Sequence, residues 1–136
     1  MLHDRSDRLN PLRILVVDDN VDAATLTGSL LRHLGYDVRI EYSAEAALEQ
    51  AEVEIFDFCL LDIGLPEMDG YELAAKLREK PNTRSAVFAA LTGYGSETYI
   101  NKSEEQGFSF HFVKPVPIPK LFDACAEISK KIKEIS

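Results

Sequence analysis

Cysteine occurs only twice in the 136 residues, at Cys59 and Cys125, and neither belongs to a C-x-x-C pair. No Cys/His cluster has the spacing of a zinc site, which excludes a thiolate metal centre. Both cysteines sit in apolar stretches and are expected to be buried free thiols. No apolar run approaches the length that crosses a bilayer, and residues 1–10 lack the apolar segment of a signal peptide, so a cytoplasmic location with no membrane partner is expected. Basic excess is also missing: 23 Asp and Glu stand against 15 Lys and Arg, a net charge of −8. An acidic surface repels phosphate backbones, so no nucleic-acid partner is expected. Lys130, Lys131 and Lys133 form a local basic group, but they end a helical pattern, where cations complement the helix dipole. Internal repeats and low-complexity segments are absent.

What is present is an alternation. Residues 1–10 read as a polar arm, followed by one domain over 11–136. Arg13 to Val17 is a short apolar run ending in Asp18-Asp19-Asn20, the mark of a strand buried on both faces. Ala23, Leu26, Thr27, Leu30, Leu31 and Leu34 recur at helical spacing, Asn20 or Asp22 can cap the helix, and Gly35 stops it. Asp37 to Glu41 is a second strand. Ser43 caps a helix over Ala44 to Glu52. Ile55 to Leu61 is a third strand running into Asp62. Tyr71, Ala74, Ala75 and Leu77 mark a third helix, with Asp69-Gly70 before it as a turn. Ala86 to Leu91 is a fourth strand ending at Thr92. A polar fourth helix is expected over 96–106 and a fifth strand over Ser109 to Val113, ending at Lys114-Pro115. The last helix carries Ile118, Leu121, Phe122, Cys125, Ile128, Ile132 and Ile135 as a core face, with Ile132 and Ile135 placed to project past the sheet.

Strands alternating with helices imply an α/β fold with a parallel sheet covered on both faces. In such sheets the ligand site lies beyond the carboxyl ends of the strands. Those ends carry Asp18, Asp19, Asp62, Thr92 and Lys114. Three carboxylates gathered at one edge call for a hard divalent cation, Mg²⁺ first. A lysine and a hydroxyl beside them can grip an anion. A carboxylate can itself attack phosphorus to give an aspartyl phosphate, a transfer that needs alignment and charge neutralisation.

The ordered set Val-Val-Asp18-Asp19-Asn, Leu-Leu-Asp62-Ile-Gly-Leu-Pro-Glu-Met-Asp-Gly70, Ala-Leu-Thr92-Gly-Tyr-Gly and Phe-Val-Lys114-Pro115 resembles the receiver domains of two-component response regulators. Its flavour is closest to receivers of hybrid histidine kinases, and the resemblance covers about residues 12–133. It implies a doubly wound (βα)5, flavodoxin-like three-layer sandwich with a parallel sheet of order 2-1-3-4-5. It implies Asp62 as phosphoacceptor and Mg²⁺ as cofactor. The metal ligands would be Asp19 and Asp62 directly, Asp18 largely through water, and the backbone carbonyl of Gly64. Thr92 would be the switch hydroxyl and Lys114 the cation on the phosphoryl group, with a cis Lys114-Pro115 bond. The family's switch aromatic corresponds here to His111, a departure from the pattern. Tyr94 would lean over the site and slow the attack of water. The implied partner is a histidine kinase or a histidine phosphotransfer protein, and the implied state a monomer or weak homodimer. The chain would be a phosphorylated switch with slow self-hydrolysis rather than a turnover enzyme, signalling through helix 4, strand 5 and helix 5.

Two other readings fit less well. Phosphatases of the haloacid-dehalogenase type need a second aspartate two residues after the nucleophile, and that residue here is Gly64. A binding module that had lost phosphorylation would be expected to have lost one of Asp18, Asp19, Asp62, Thr92 or Lys114. The sequence leaves open the cognate kinase, the output, the phosphoryl lifetime, and whether the chain stands alone or is cut from a longer protein.

Overall fold

A computed structural model describes residues 12–93 and 105–135. The strands are β1 (Arg13–Val17), β2 (Asp37–Glu41), β3 (Phe58–Asp62), β4 (Val87–Thr92) and β5 (Phe110–Val113). The helices among the described residues are α1 (Val21–His33), α2 (Ala44–Val53), α3 (Gly70–Arg78) and α4 (Ile118–Ile135). All strand pairings are parallel, in the order β2-β1-β3-β4-β5. This is the expected doubly wound three-layer sandwich. The helix expected over 96–106 lies outside the described residues but for its last two positions.

Strand polarity explains the apolar runs. Every residue of β3 is buried, and β1 and β4 are buried after their first residue. Alternate side chains feed two cores. Leu15, Val17, Cys59, Leu61, Phe88 and Ala90 meet α2 and α3 on one face. Ile14, Val16, Phe58, Leu60, Ala89, Leu91 and Phe112 meet α1 and α4 on the other. Both cysteines are buried free thiols, one per core, as expected.

The helix ends follow local chemistry. Asn20, rather than Asp22, caps α1 by accepting the Ala23 amide at 2.9 Å. Ser43 caps α2 through the Ala46 amide at 3.1 Å. After α1, Gly35 takes φ +97°, and the amides of Gly35 and Tyr36 bond back to the carbonyls of Arg32 and Leu31. Only glycine adopts that backbone at low cost.

Several boundaries and faces differ from expectation. β3 begins at Phe58, not Ile55, which is exposed. Its start is set by pairing: the Asp57 amide bonds the Arg13 carbonyl, and the Asp57 carboxylate accepts the Arg13 amide at 2.8 Å. β4 and β5 likewise start one residue later than expected. Leu26, Ile118 and Phe122 are exposed, because α1 packs through Ala24, Gly28 and Leu31, and α4 through Leu121, Ala124, Cys125 and Ile128. Ala75 also points outward, and Leu73 takes its place in the core of α3. Ile132 packs against the core instead of projecting past it.

Candidate functional site

The sheet register brings four strand ends to one edge. Val17 pairs with Leu61, Asp62 with Leu91, and Thr92 with Val113. Asp18 follows β1 directly and Lys114 follows β5, so Asp18, Asp62, Thr92 and Lys114 arrive together. The Lys114 amide extends the ladder to the Thr92 carbonyl at 2.7 Å. The Lys114-Pro115 bond is cis, as expected.

Asp18 and Asp62 are buried charges with divided tasks. One oxygen of each accepts a local backbone amide: Asp18 Oδ1 takes Asn20 at 3.0 Å, and Asp62 Oδ1 takes Gly64 at 2.9 Å. The other oxygen of each, Oδ2, stands 3.2 Å from Lys114 Nζ. A single ammonium thus bridges two carboxylates from different strands. Burial, more than any neighbour, lifts Asp62 above the ordinary carboxylate range. Asp18 adds to the rise, and the Gly64 amide and Lys114 oppose it. Burial works to lower the Lys114 ammonium, but Asp18 and Asp62 outweigh it and hold the group above the usual lysine value.

Asp19 is exposed beside this pair. One oxygen from each of Asp18, Asp19 and Asp62 lies within 4.8 Å of the others. An all-oxygen cluster with negative charge in excess of its one lysine suits a hard divalent cation such as Mg²⁺. The Gly64 amide donates to Asp62 at this edge.

Asp69 and Gly70 do more than turn the chain. Asp69 caps α3 by accepting the Glu72 amide at 2.9 Å. Gly70 opens that helix and bonds back to the Ile63 carbonyl at 3.1 Å. A Cβ on Gly70 would stand 2.8 Å from the Asp62 carbonyl and 2.9 Å from Ile63 Cα. Glycine therefore lets the loop after Asp62 close against the strand end, where any larger residue would displace it.

Thr92 is buried, and its Oγ1 lies 3.3 Å from Nε2 of the half-buried His111. This contact had no sequence signal of its own, because it depends on how β4 and β5 align. Tyr94 lies outside the described residues. Among the described residues, no helix is long and apolar enough to cross a membrane.

Residues 14–126 match the family model described as the response regulator receiver domain. The transcriptional regulatory protein ZraR of Escherichia coli K12 is 34% identical over 122 residues, which are 89% of this chain but 26% of ZraR. The chain therefore spans about a quarter of that relative's length. A CheY-like response regulator receiver domain protein from Methanospirillum hungatei JF-1 superposes with a TM-score of 0.77 at 31% identity, covering 90% of this chain and 99% of that one. The receiver domain of sensor histidine kinase PA1611 from Pseudomonas aeruginosa PAO1, solved with magnesium coordinated in its active-site cleft, superposes with a TM-score of 0.78 at 28% identity. It covers 88% of this chain and 98% of its own.

Proposed function

Since the chain belongs to the response-regulator receiver family of two-component signalling, we propose that its switch is thrown by phosphoryl transfer from a phosphohistidine to Asp62. The observation that carries this reading is the Lys114 bridge between two buried carboxylates beside a third. Buried carboxylates repel one another and cost desolvation energy. Their clustering at the open end of the sheet is a cost that a phosphoryl-transfer site would justify.

The donor is a histidine kinase or a histidine phosphotransfer protein. Asp62 Oδ2 attacks phosphorus in line, an O–P bond forms, and the P–N bond to the donor imidazole breaks, with its electron pair leaving on nitrogen. Asp62 Oδ1 is steadied meanwhile by the Gly64 amide. Lys114 already stands at Asp62 Oδ2 and moves onto the phosphoryl oxygens as the carboxylate becomes an acyl phosphate. Asp18, held by the Asn20 amide, keeps the lysine in place. Thr92 turns its hydroxyl to the phosphoryl group. Asp19, Asp62 and the Gly64 carbonyl, with Asp18 largely through water, would hold Mg²⁺, which would supply neutralisation of phosphoryl charge. Attack of water on phosphorus later returns the free carboxylate and inorganic phosphate.

Incubation with acetyl phosphate and Mg²⁺ tests the reading. One base-labile addition of about 80 Da is expected, as an acyl phosphate on a carboxylate nucleophile requires. Asp62→Asn should abolish it, because an amide is a poor nucleophile. An undiminished addition in that variant would refute the assignment.

A further inference from the structure

β5 is the edge strand of the sheet, four residues long and paired with β4. An edge strand of that length has little to hold it against sliding along its own axis. Lys114 is the next residue, so a slide moves its ammonium off the two 3.2 Å contacts with Asp18 and Asp62.

The chain enters β5 through a socket at the amino ends of the strands. Phe108 is buried there, edge-on to Tyr71 of α3 with ring centroids 5.6 Å apart, and 6.2 Å from Phe88 near the start of β4. The guanidinium of Arg78, the last residue of α3, lies 4.6 Å over the Phe88 ring and 5.7 Å from that of Phe108. Gly107 takes φ +83°, and a Cβ on it would stand 2.9 Å from Arg78 Nη2. The Ser109 amide then bonds the Phe88 carbonyl at 2.9 Å and begins the ladder.

A guanidinium is a costly way to fill this socket. Burial holds it below the ordinary arginine value, and Nη2 is buried with no hydrogen-bond partner among the described residues. An aliphatic side chain would pack here without that cost. What the guanidinium adds is a rigid plane that meets two rings and a bare glycine in a fixed arrangement, where a flexible hydrocarbon would follow Phe108 wherever it settled.

The same helix touches the strand-end site. Gly70, the first residue of α3, approaches Asp62 so closely that a Cβ would stand 2.8 Å from the Asp62 carbonyl. One end of α3 thus rests on Asp62 and the other grips the entry to β5. We infer that Arg78 is a positioning residue for Lys114: it locks the start of β5 onto α3 and so fixes where the ammonium stands relative to Asp62. For the reaction, this rests on the proposed reading of Asp62 and Lys114 as the phosphoryl-transfer pair.

The experiment is a double-mutant cycle with Arg78→Leu and Lys114→Met, read in two ways. In urea unfolding, independent sites multiply their effects on the equilibrium constant to within about twofold. Here the penalty of Lys114→Met is expected to be at least ~3-fold smaller in the Arg78→Leu background, because a displaced lysine no longer bridges the carboxylates. With acetyl phosphate and Mg²⁺, folded Arg78→Leu is expected to react about 10-fold more slowly than the wild type. No further slowing is expected where Lys114 is already methionine. Arg78→Lys keeps the charge but not the plane and should also slow the reaction. It carries the same cycle if Arg78→Leu does not fold. A purely structural Arg78 would lower the urea midpoint alone. Penalties that multiply in the cycle, or a wild-type rate in both Arg78 variants, overturn the inference without touching the phosphoacceptor reading. Coupling in urea with no acyl phosphate on the wild type would uphold the placement of Lys114 and sink that reading.

Discussion

Lys114 Nζ lies 3.2 Å from Asp62 Oδ2 and 3.2 Å from Asp18 Oδ2, so one ammonium balances two buried carboxylates. Lys114→Met leaves them facing each other. A loss of about 1–3 kcal/mol at pH 7 is expected, at the lower end of the cost of breaking a buried pair because the lysine is partly exposed. The loss should shrink on acidification, since protonating one carboxylate removes the repulsion. Urea unfolding at pH 7 and pH 5 checks both points, and an equal loss at the two would contradict this account.

Asp62 also predicts its own pH dependence. Its folded pKa is raised above the ordinary 3.8, so the folded state holds the proton more tightly than the unfolded state. The stability it contributes is present below 3.8 and is lost as pH rises through the raised value. At neutral pH without Mg²⁺, the ionised group is a burden. Asp62→Asn keeps an acceptor for the Gly64 amide and removes the charge. A gain of about 1 kcal/mol, or roughly 3–5 °C in Tm, is expected. A lower Tm for the variant in chelator at pH 7 would count against a buried, ionised Asp62.

Mg²⁺ should reverse that order. A ligand of the native state alone stabilises by ~2.7 kcal/mol at a hundredfold excess over its Kd. The wild type should gain this and Asp62→Asn much less, with EDTA erasing the difference. Affinity should fall as pH falls through the Asp62 titration, because the proton and the metal compete. Asp19→Asn should weaken the Mg²⁺ effect with little change in the metal-free Tm, since Asp19 is exposed. Thermal melts across a Mg²⁺ series distinguish these cases, and a Mg²⁺ response that survives in Asp62→Asn would displace the metal from this cluster.

Thr92 and Lys114 bracket the stretch 93–113 and are joined by a backbone hydrogen bond of 2.7 Å. On the proposed function, both would be drawn toward a dianion at Asp62. Hydrogen exchange with and without beryllium fluoride should therefore change across residues 93–115 and into α4. Changes confined to α1 and α2 would show that the signal leaves by another face.

The strand ends were legible because parallel strands buried on both faces leave almost no freedom in composition, and the run stops where chemistry starts. Asp18, Asp62, Thr92 and Lys114 could be located from that alone. Gly35 was legible for a similar reason, since few residues accept its backbone. Ile55 was misplaced because apolar character does not show which residue first finds a partner strand, and the Arg13–Asp57 bonds decide it. Leu26 and Phe122 were assigned to core faces because periodicity gives the spacing of a stripe but not its phase against a neighbour. Asp69-Gly70 looked like a turn because the close approach of Gly70 to Asp62 exists only once the loop has folded back. The Thr92–His111 contact needed the alignment of two strands separated by a long connection, which no local pattern encodes.

The two buried cysteines make a chemical clock of the native fold. Burial drives the Cys59 thiol far above its ordinary range and pushes Cys125 up to about 12. Alkylating reagents attack the thiolate and need access to it, so modification at neutral pH proceeds only through molecules that have opened. Cys59 lies in β3, the middle strand of the sheet, and Cys125 on the buried face of α4. The slower of the two reaction rates thus times the rupture of the sheet, and the faster times the lifting of α4 from its face.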